Sequence, residues 1–213
     1  MGFYDPREKL KEVSDAEERR LIKGLMDLLA NVFGFNFNTE NGKVVEVQMI
    51  SAGLASIPRS LQKFPNLYKL QLQTNKIRKL RIINECKNLQ ILNLSDNQLN
   101  SAGLALLPKI SGLKSINFSY NEIDSLENFA DLREIESLNL SHNEIKEISP
   151  LPNLSRLKFL DLTGNPISKL ENLQYLESLI SLKIDDSRLS IKEKEVLNEG
   201  MDKVKEYCRT SKE

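Results

Sequence analysis

An α/β solenoid of stacked repeats, closed by a helix at each end, is the fold this sequence predicts. Three observations predict it. An apolar pattern built around one asparagine recurs five times. The asparagines, Asn75, Asn97, Asn121, Asn143 and Asn165, are spaced 22, 24, 22 and 22 residues apart. Helical stripes of apolar residues stand before the first copy and after the last.

In chain order, residues 1–43 are assigned to an N-terminal cap. Ser14 and Glu17 have capping-box spacing. Leu21, Ile22, Leu25, Leu28, Leu29, Val32 and Phe33 follow on one stripe. They predict a helix over 15–33, with Phe35 and Phe37 in the crossover to the first repeat. Residues 44–189 hold seven repeats. Five match L-x-x-L-x-L-x-x-N-x-L with conservative swaps: LYKLQLQTNKI from Leu67, LQILNLSDNQL from Leu89, LKSINFSYNEI from Leu113, IESLNLSHNEI from Ile135 and LKFLDLTGNPI from Leu157. Degenerate copies flank them. VVEVQMISAGL from Val44 carries Ala52 at the asparagine position, and LISLKIDDSRL from Leu179 carries Ser187. Residues 190–213 form the C-terminal cap, where Ser190 and Glu193 repeat the capping-box spacing. Leu197, Met201, Val204 and Cys208 give a helical seam. Either end helix could instead serve to bind a partner.

Each repeat has a physical reading. Alternating apolar residues such as Leu138 and Leu140 mark a strand with one buried face. Ile145, Ile148, Leu151 and Leu154 recur every third residue, as a 3₁₀-like return needs to keep one face inward. A single repeat cannot bury enough surface to fold alone, so neighbours must share it by stacking. The asparagine offers an amide donor and a carbonyl acceptor where the chain leaves the strand, so one side chain can bridge adjacent turns.

Over roughly residues 44–200 these motifs resemble the leucine-rich-repeat family. The 22-residue period and the apolar spacing after the asparagine are similar to its intracellular class, which includes the repeat-built regulator of protein phosphatase 1. The first repeat, with Ile57-Pro58, is closer to a longer subtype. The resemblance implies a curved solenoid with a parallel β-sheet on its concave face and irregular or 3₁₀ turns on the convex side. It also implies that the concave face is where a partner binds.

Stacking turns positions into columns. One outward column reads Gln48, Gln71, Asn93, Asn117, Asn139, Asp161, Lys183; with strands ~4.8 Å apart it spans roughly 29 Å. The column two residues earlier reads Glu46, Lys69, Ile91, Ser115, Ser137, Phe159, Ser181, and the one before the asparagines reads Ser51, Thr74, Asp96, Tyr120, His142, Gly164, Asp186. The predicted partner-binding residues are Lys69, Gln71, Ile91, Asn93, Asn117, Tyr120, Asn139, His142, Phe159 and Asp161. Tyr120 and His142 are expected to be neighbours, with Phe159 one repeat further along. Exposed aromatics on such a surface are the residue type that anchors interfaces.

Composition narrows the function classes. The 213 residues carry 30 basic and 30 acidic side chains, so the net charge is zero. That balance argues against nucleic acid or an anionic membrane as the main partner. Charge is nonetheless segregated. Arg59, Lys63, Lys69, Lys76, Arg78, Lys79, Arg81 and Lys87 face only Glu85, whereas 121–147 holds eight acids against Arg133 and Lys146. No apolar stretch reaches the length of a membrane span. The N-terminus turns charged at once, which argues against a signal peptide, and Pro6 departs from the myristoylation pattern that Gly2 would open.

Enzyme signatures are missing. His142 is the one histidine, with no nucleophile motif around it, and there is no phosphate loop or metal-ligand spacing. Cys86 and Cys208 read as small buried hydrophobes rather than reactive thiols. The expectation is a non-catalytic interaction module with no cofactor, monomeric by itself, binding another protein in the cytoplasm or nucleus. The alternatives are a regulatory subunit of an enzyme such as a phosphatase, and a structural subunit of a larger intracellular assembly. Residues 3–13, with Phe3 and Tyr4, would anchor the latter.

Overall fold

The structure is a computed structural model and describes residues 6–29, 34–81, 83–107, 110–148, 151 and 153–211. Gly2, Phe3, Tyr4, Val32 and Phe33 lie outside the described residues.

Seven short strands stack in parallel and in chain order: β2 (Lys43–Met49), β3 (Lys69–Gln71), β4 (Ile91–Asn93), β5 (Ser115–Asn117), β6 (Ser137–Asn139), β7 (Phe159–Asp161) and β8 (Ser181–Lys183). In β3 to β7 the middle residue is buried and its neighbours are not, the alternation expected of a sheet with one face inward. The return segments contribute 3₁₀ turns at Arg59–Lys63, Ile83–Glu85, Ser101–Leu104, Glu127–Phe129 and Leu173–Tyr175. One continuous core runs the length of the stack, with Leu70, Leu92, Ile116, Leu138 and Leu160 as its strand layer.

The asparagines line up beneath the surface. Asn143 is representative: its Nδ2 donates to Phe118 O and Leu140 O, both at 3.0 Å, and its Oδ1 accepts from Ile123 N at 3.0 Å. Asn97, Asn121 and Asn165 make the same three bonds one or more rungs away. At the first rung Asn75 accepts two, from Ala52 N and Leu54 N. Each side chain thus satisfies carbonyls on its own turn and the preceding one.

The front departs from expectation. Phe35 and Phe37 do not cross over; they form β1 (Phe35–Glu40), an antiparallel partner of β2 that makes the sheet eight-stranded. The two-residue turn is Asn41-Gly42, at φ 50° and 74°, and a side chain on Gly42 would sit 2.3 Å from Ser14 Oγ. Before it come α1 (Pro6–Lys9) and α2 (Ala16–Leu28). Asp15 rather than Ser14 caps α2, accepting from Glu18 N at 3.0 Å, while Ser14 donates to Gly42 O at 3.1 Å. Ile22, Leu25 and Leu29 face the core, whereas Leu28 is 67% exposed. Glu18 is buried and accepts the first-repeat amide of Val44 at 2.8 Å.

At the back, Ser190 and Glu193 form the expected capping box. The single predicted helix is two, α3 (Ile191–Glu199) and α4 (Met201–Thr210), broken at Gly200, whose φ of 102° favours glycine. Val204 and Cys208 bury fully, while Leu197 and Met201 bury in part. Glu193 accepts Leu170 N at 2.8 Å, and Lys205 donates to Glu177 O and Leu179 O at 2.8 and 3.0 Å. Buried cap side chains therefore take over backbone groups that another repeat would have paired.

Candidate functional site: the concave face

The strand register sets the columns. Gln48, Gln71, Asn93, Asn117, Asn139, Asp161 and Lys183 stand side by side, as do Glu46, Lys69, Ile91, Ser115, Ser137, Phe159 and Ser181. The first column is partly committed to the backbone. Asn93, Asn117, Asn139 and Asp161 each accept, through Oδ1, the N–H two residues on, at 2.9–3.1 Å. These Asx turns steer the chain out of each strand. The residues remain half-buried on the face, with one side-chain atom structural.

At the front the face is occupied by its own polar network. Glu46 is buried at 6% exposure on β2. It accepts from Asn38 Nδ2 at 2.5 Å, Gln48 Nε2 at 2.8 Å and Gln71 Nε2 at 2.5 Å, and it pairs with Lys69 Nζ at 3.0 Å. Lys9 donates in turn to Asn38. Burial alone would raise the carboxyl, but the bonds from Asn38, Lys69, Gln48 and Gln71 outweigh it and hold the pKa at about 2. Lys69 and Gln71 are therefore bound into the scaffold. Sequence reasoning missed Glu46, because a glutamate alternating with valines in VVEVQM reads as a solvated position. Its burial depends on β1, where Asn38 is its register partner.

In the middle the face is free. Tyr120 and His142 stack, with ring centroids 4.2 Å apart and planes 12° off parallel. Tyr120 is 56% exposed. Their column has a property unread in the sequence: Ser51, Thr74, Asp96, Tyr120, His142 and Gly164 all adopt left-handed backbone, φ 53° to 75°. The glycine was the available signal, since only it enters this region without strain. Gly164 also makes room, for a Cβ there would stand 2.5 Å from His142 Nδ1. The imidazole thus lies between the phenol ring and a bare backbone.

Phe159 does not join this stack. It opens β7, whereas Tyr120 and His142 sit three residues past the ends of β5 and β6. Phe159, 50% exposed, instead shares a depression of about 280 Å³ with Ile91, floored by Ser115 and Ser137 and edged by Gln90, Lys114 and Glu136. Two apolar walls over a floor of small residues suit an inserted apolar side chain. The predicted aromatics therefore form two anchors at opposite ends of the strands.

Charge follows the stacking. Arg59, Lys63, Lys76, Lys79, Arg81 and Lys87 are exposed on the front repeats; Glu122, Asp124, Glu127, Asp131, Glu144 and Glu147 are exposed on the middle ones. Cys86 and Cys208 are buried, and burial, aided by Glu85, pushes the Cys86 thiol up to about 11. Among the described residues no group of three or more His, Cys, Asp or Glu could hold a metal, and no helix is long and apolar enough to cross a membrane.

A register of parallel three-residue strands, a buried asparagine ladder and helical caps define a leucine-rich-repeat solenoid. Comparison with known proteins agrees. The family described as Leucine rich repeat matches residues 87–145, and Leucine Rich repeats (2 copies) matches 133–188. Such repeats generally act as non-catalytic interaction modules. Among solved structures, a leucine-rich-repeat protein of Leptospira interrogans superposes with a TM-score of 0.61 at 24% identity, over 68% of this chain and 38% of that one. The leucine-rich-repeat ectodomain of the receptor kinase SOBIR1 from Arabidopsis thaliana gives 0.53 at 20% identity, over 80% and 97%. The LRIM1/APL1C complex gives 0.50 at 20%, over 56% and 23%. This chain thus spans well under half of the Leptospira protein's length. No curated protein sequence matches the chain significantly.

Proposed function

We infer that the chain is a non-catalytic module that binds another protein through the concave face of its repeats, residues 44–189. One observation carries the reading: two half-exposed aromatics, Tyr120 and Phe159, stand on a face whose other predicted contacts, Ile91 apart, are polar and in part already bonded. Folding gains little from leaving them in water, whereas interfaces are anchored by such side chains. The LRIM1/APL1C structure is by its name a complex, and the SOBIR1 domain belongs to a receptor; both are consistent with a protein partner.

The test is partner recovery from native extract with wild type and with Tyr120→Ala/Phe159→Ala, with the fold checked by circular dichroism. Unchanged recovery by a folded double variant removes the interface. If the partner is an enzyme, as the resemblance to the phosphatase regulator implies, purified chain should change phosphatase activity in a direct assay. The exposure of Leu28 and Ile191, one on each cap, favours a second reading as a subunit of a larger assembly. Size-exclusion of native extract separates the two, since an obligate subunit would not run free.

A further inference from the structure

The Tyr120–His142 stack is one-sided. His142 covers the ring face turned toward the later repeats. The other face turns toward the rung carrying Asp96, which occupies the same left-handed column. The two turns are joined directly: Asp96 N donates to Ser119 O at 2.9 Å and Asn97 N to Tyr120 O at 3.2 Å. Neighbouring rungs lie ~4.8 Å apart. A flat group resting on the open phenol face therefore reaches the Asp96 carboxylate with its edge. Asp96 is exposed, and so are Glu122, Asp124 and Glu144 on the turns that follow it, with Lys146 the one base among these; Lys76 and Arg78 stand on the turn before Asp96, where Arg78 donates to Gln98 at 2.9 Å.

We propose that this rim receives an arginine side chain from a basic segment of the partner protein, its guanidinium stacked on the open face of Tyr120 and paired with Asp96. The proposal rests on the concave-face reading and adds the partner's chemistry. Arginine suits the site better than lysine because its charge is planar: it can lie on a ring and present N–H donors from its edge together, whereas an ammonium is a compact, strongly hydrated point. The surrounding carboxylates attract a basic segment, and the ring selects which of its side chains seats. The anchor formed by Ile91 and Phe159, at the other end of the strands, has no part in this contact.

The experiment titrates the full chain, at low ionic strength, with two fluorescent peptides that alternate glycine with arginine or with lysine, and reads anisotropy. The arginine peptide is expected to bind about fivefold tighter than the lysine one. Tyr120→Leu, which keeps apolar bulk but removes the ring, and Asp96→Asn should each weaken the arginine peptide about fivefold and erase the preference. Ile180→Ala, which trims an exposed apolar residue beside β8 that is outside either anchor, should leave it within about twofold. Thermal melts confirm that each variant is folded. Equal binding of both peptides, or undiminished binding by folded Tyr120→Leu, overturns the proposal by showing general attraction to the acids alone. A Tyr120-dependent dimer in sedimentation, with no peptide present, also overturns it, by assigning the rim to a second copy of this chain. If Tyr120→Ala/Phe159→Ala loses its partner while the arginine peptide ignores Tyr120, the concave-face reading stands and the arginine contact falls.

Discussion

The front and the middle of the concave face are built on the same strand register but spend their side chains differently. At the front, Glu46 collects Asn38, Gln48, Lys69 and Gln71, so a row of polar groups that looks available is held by a buried carboxylate. In the middle, Tyr120 and Phe159 stand half in water, and His142 stacks on Tyr120. A column of polar residues is thus no guide to a binding surface until its internal partners are known. Within this face, the residues that folding does not use are the better candidates for function.

The largest expected effect breaks the front network. Glu46→Ala strands four donors and should lower stability by about 3 kcal/mol, read as the urea midpoint, while partner recovery stays unchanged. Acid sharpens the same point. Because the Glu46 carboxyl is held at about 2 in the fold against an ordinary 4.5, its contribution is present above pH 4.5 and is lost as pH falls toward about 2. Glu46→Gln should therefore be less stable than wild type near neutrality, with the gap closing at low pH. A gap independent of pH would mean that the carboxylate charge is not what holds the front together.

In the middle the order of effects reverses. Phe159→Ala should weaken partner binding tenfold or more, about 1.4 kcal/mol, and shift the unfolding midpoint by less than about 0.5 kcal/mol. Gly164→Ala should cost about 1–2 kcal/mol of stability, since it adds a side chain at φ 75° and pushes on the imidazole. It should also displace His142, moving its ring proton shifts away from those of a stacked ring. Retained shifts would show that the pair does not depend on the bare backbone beneath it.

How much of this was legible in the sequence depends on which forces were local. The columns were readable because strand period and repeat length fix register, and the asparagine ladder because its chemistry has one sensible use at a strand exit. The capping box of α3 was readable for the same reason, being four residues long. Glu46 was not, because its burial comes from pairing with β1 across the Asn41-Gly42 turn and from partners a repeat away, Lys69 and Gln71. β1 itself left signals: alternation in Phe35 and Phe37 and the Asn41-Gly42 turn. Assigning those phenylalanines to a crossover hid them. The site is split for a similar reason. Position within the repeat, and not repeat number, decides which aromatics meet, so Tyr120 stacks on His142 while Phe159 stands apart, lining a depression with Ile91 three strands away.

Tyr120 offers the finest test of the contrast. A tyrosine at φ 55° holds a conformation that costs a side chain roughly 1 kcal/mol, and glycine there would be relieved of it. Tyr120→Gly also gives up the stack with His142, worth about 0.5–1 kcal/mol at an exposed site. The two nearly cancel, so the variant should melt within about 0.5 kcal/mol of wild type while losing the rim anchor entirely. If instead Tyr120→Gly is destabilised by 2 kcal/mol or more, well above the stack's worth, the ring is serving the fold, and the middle of the face would be no freer than the front.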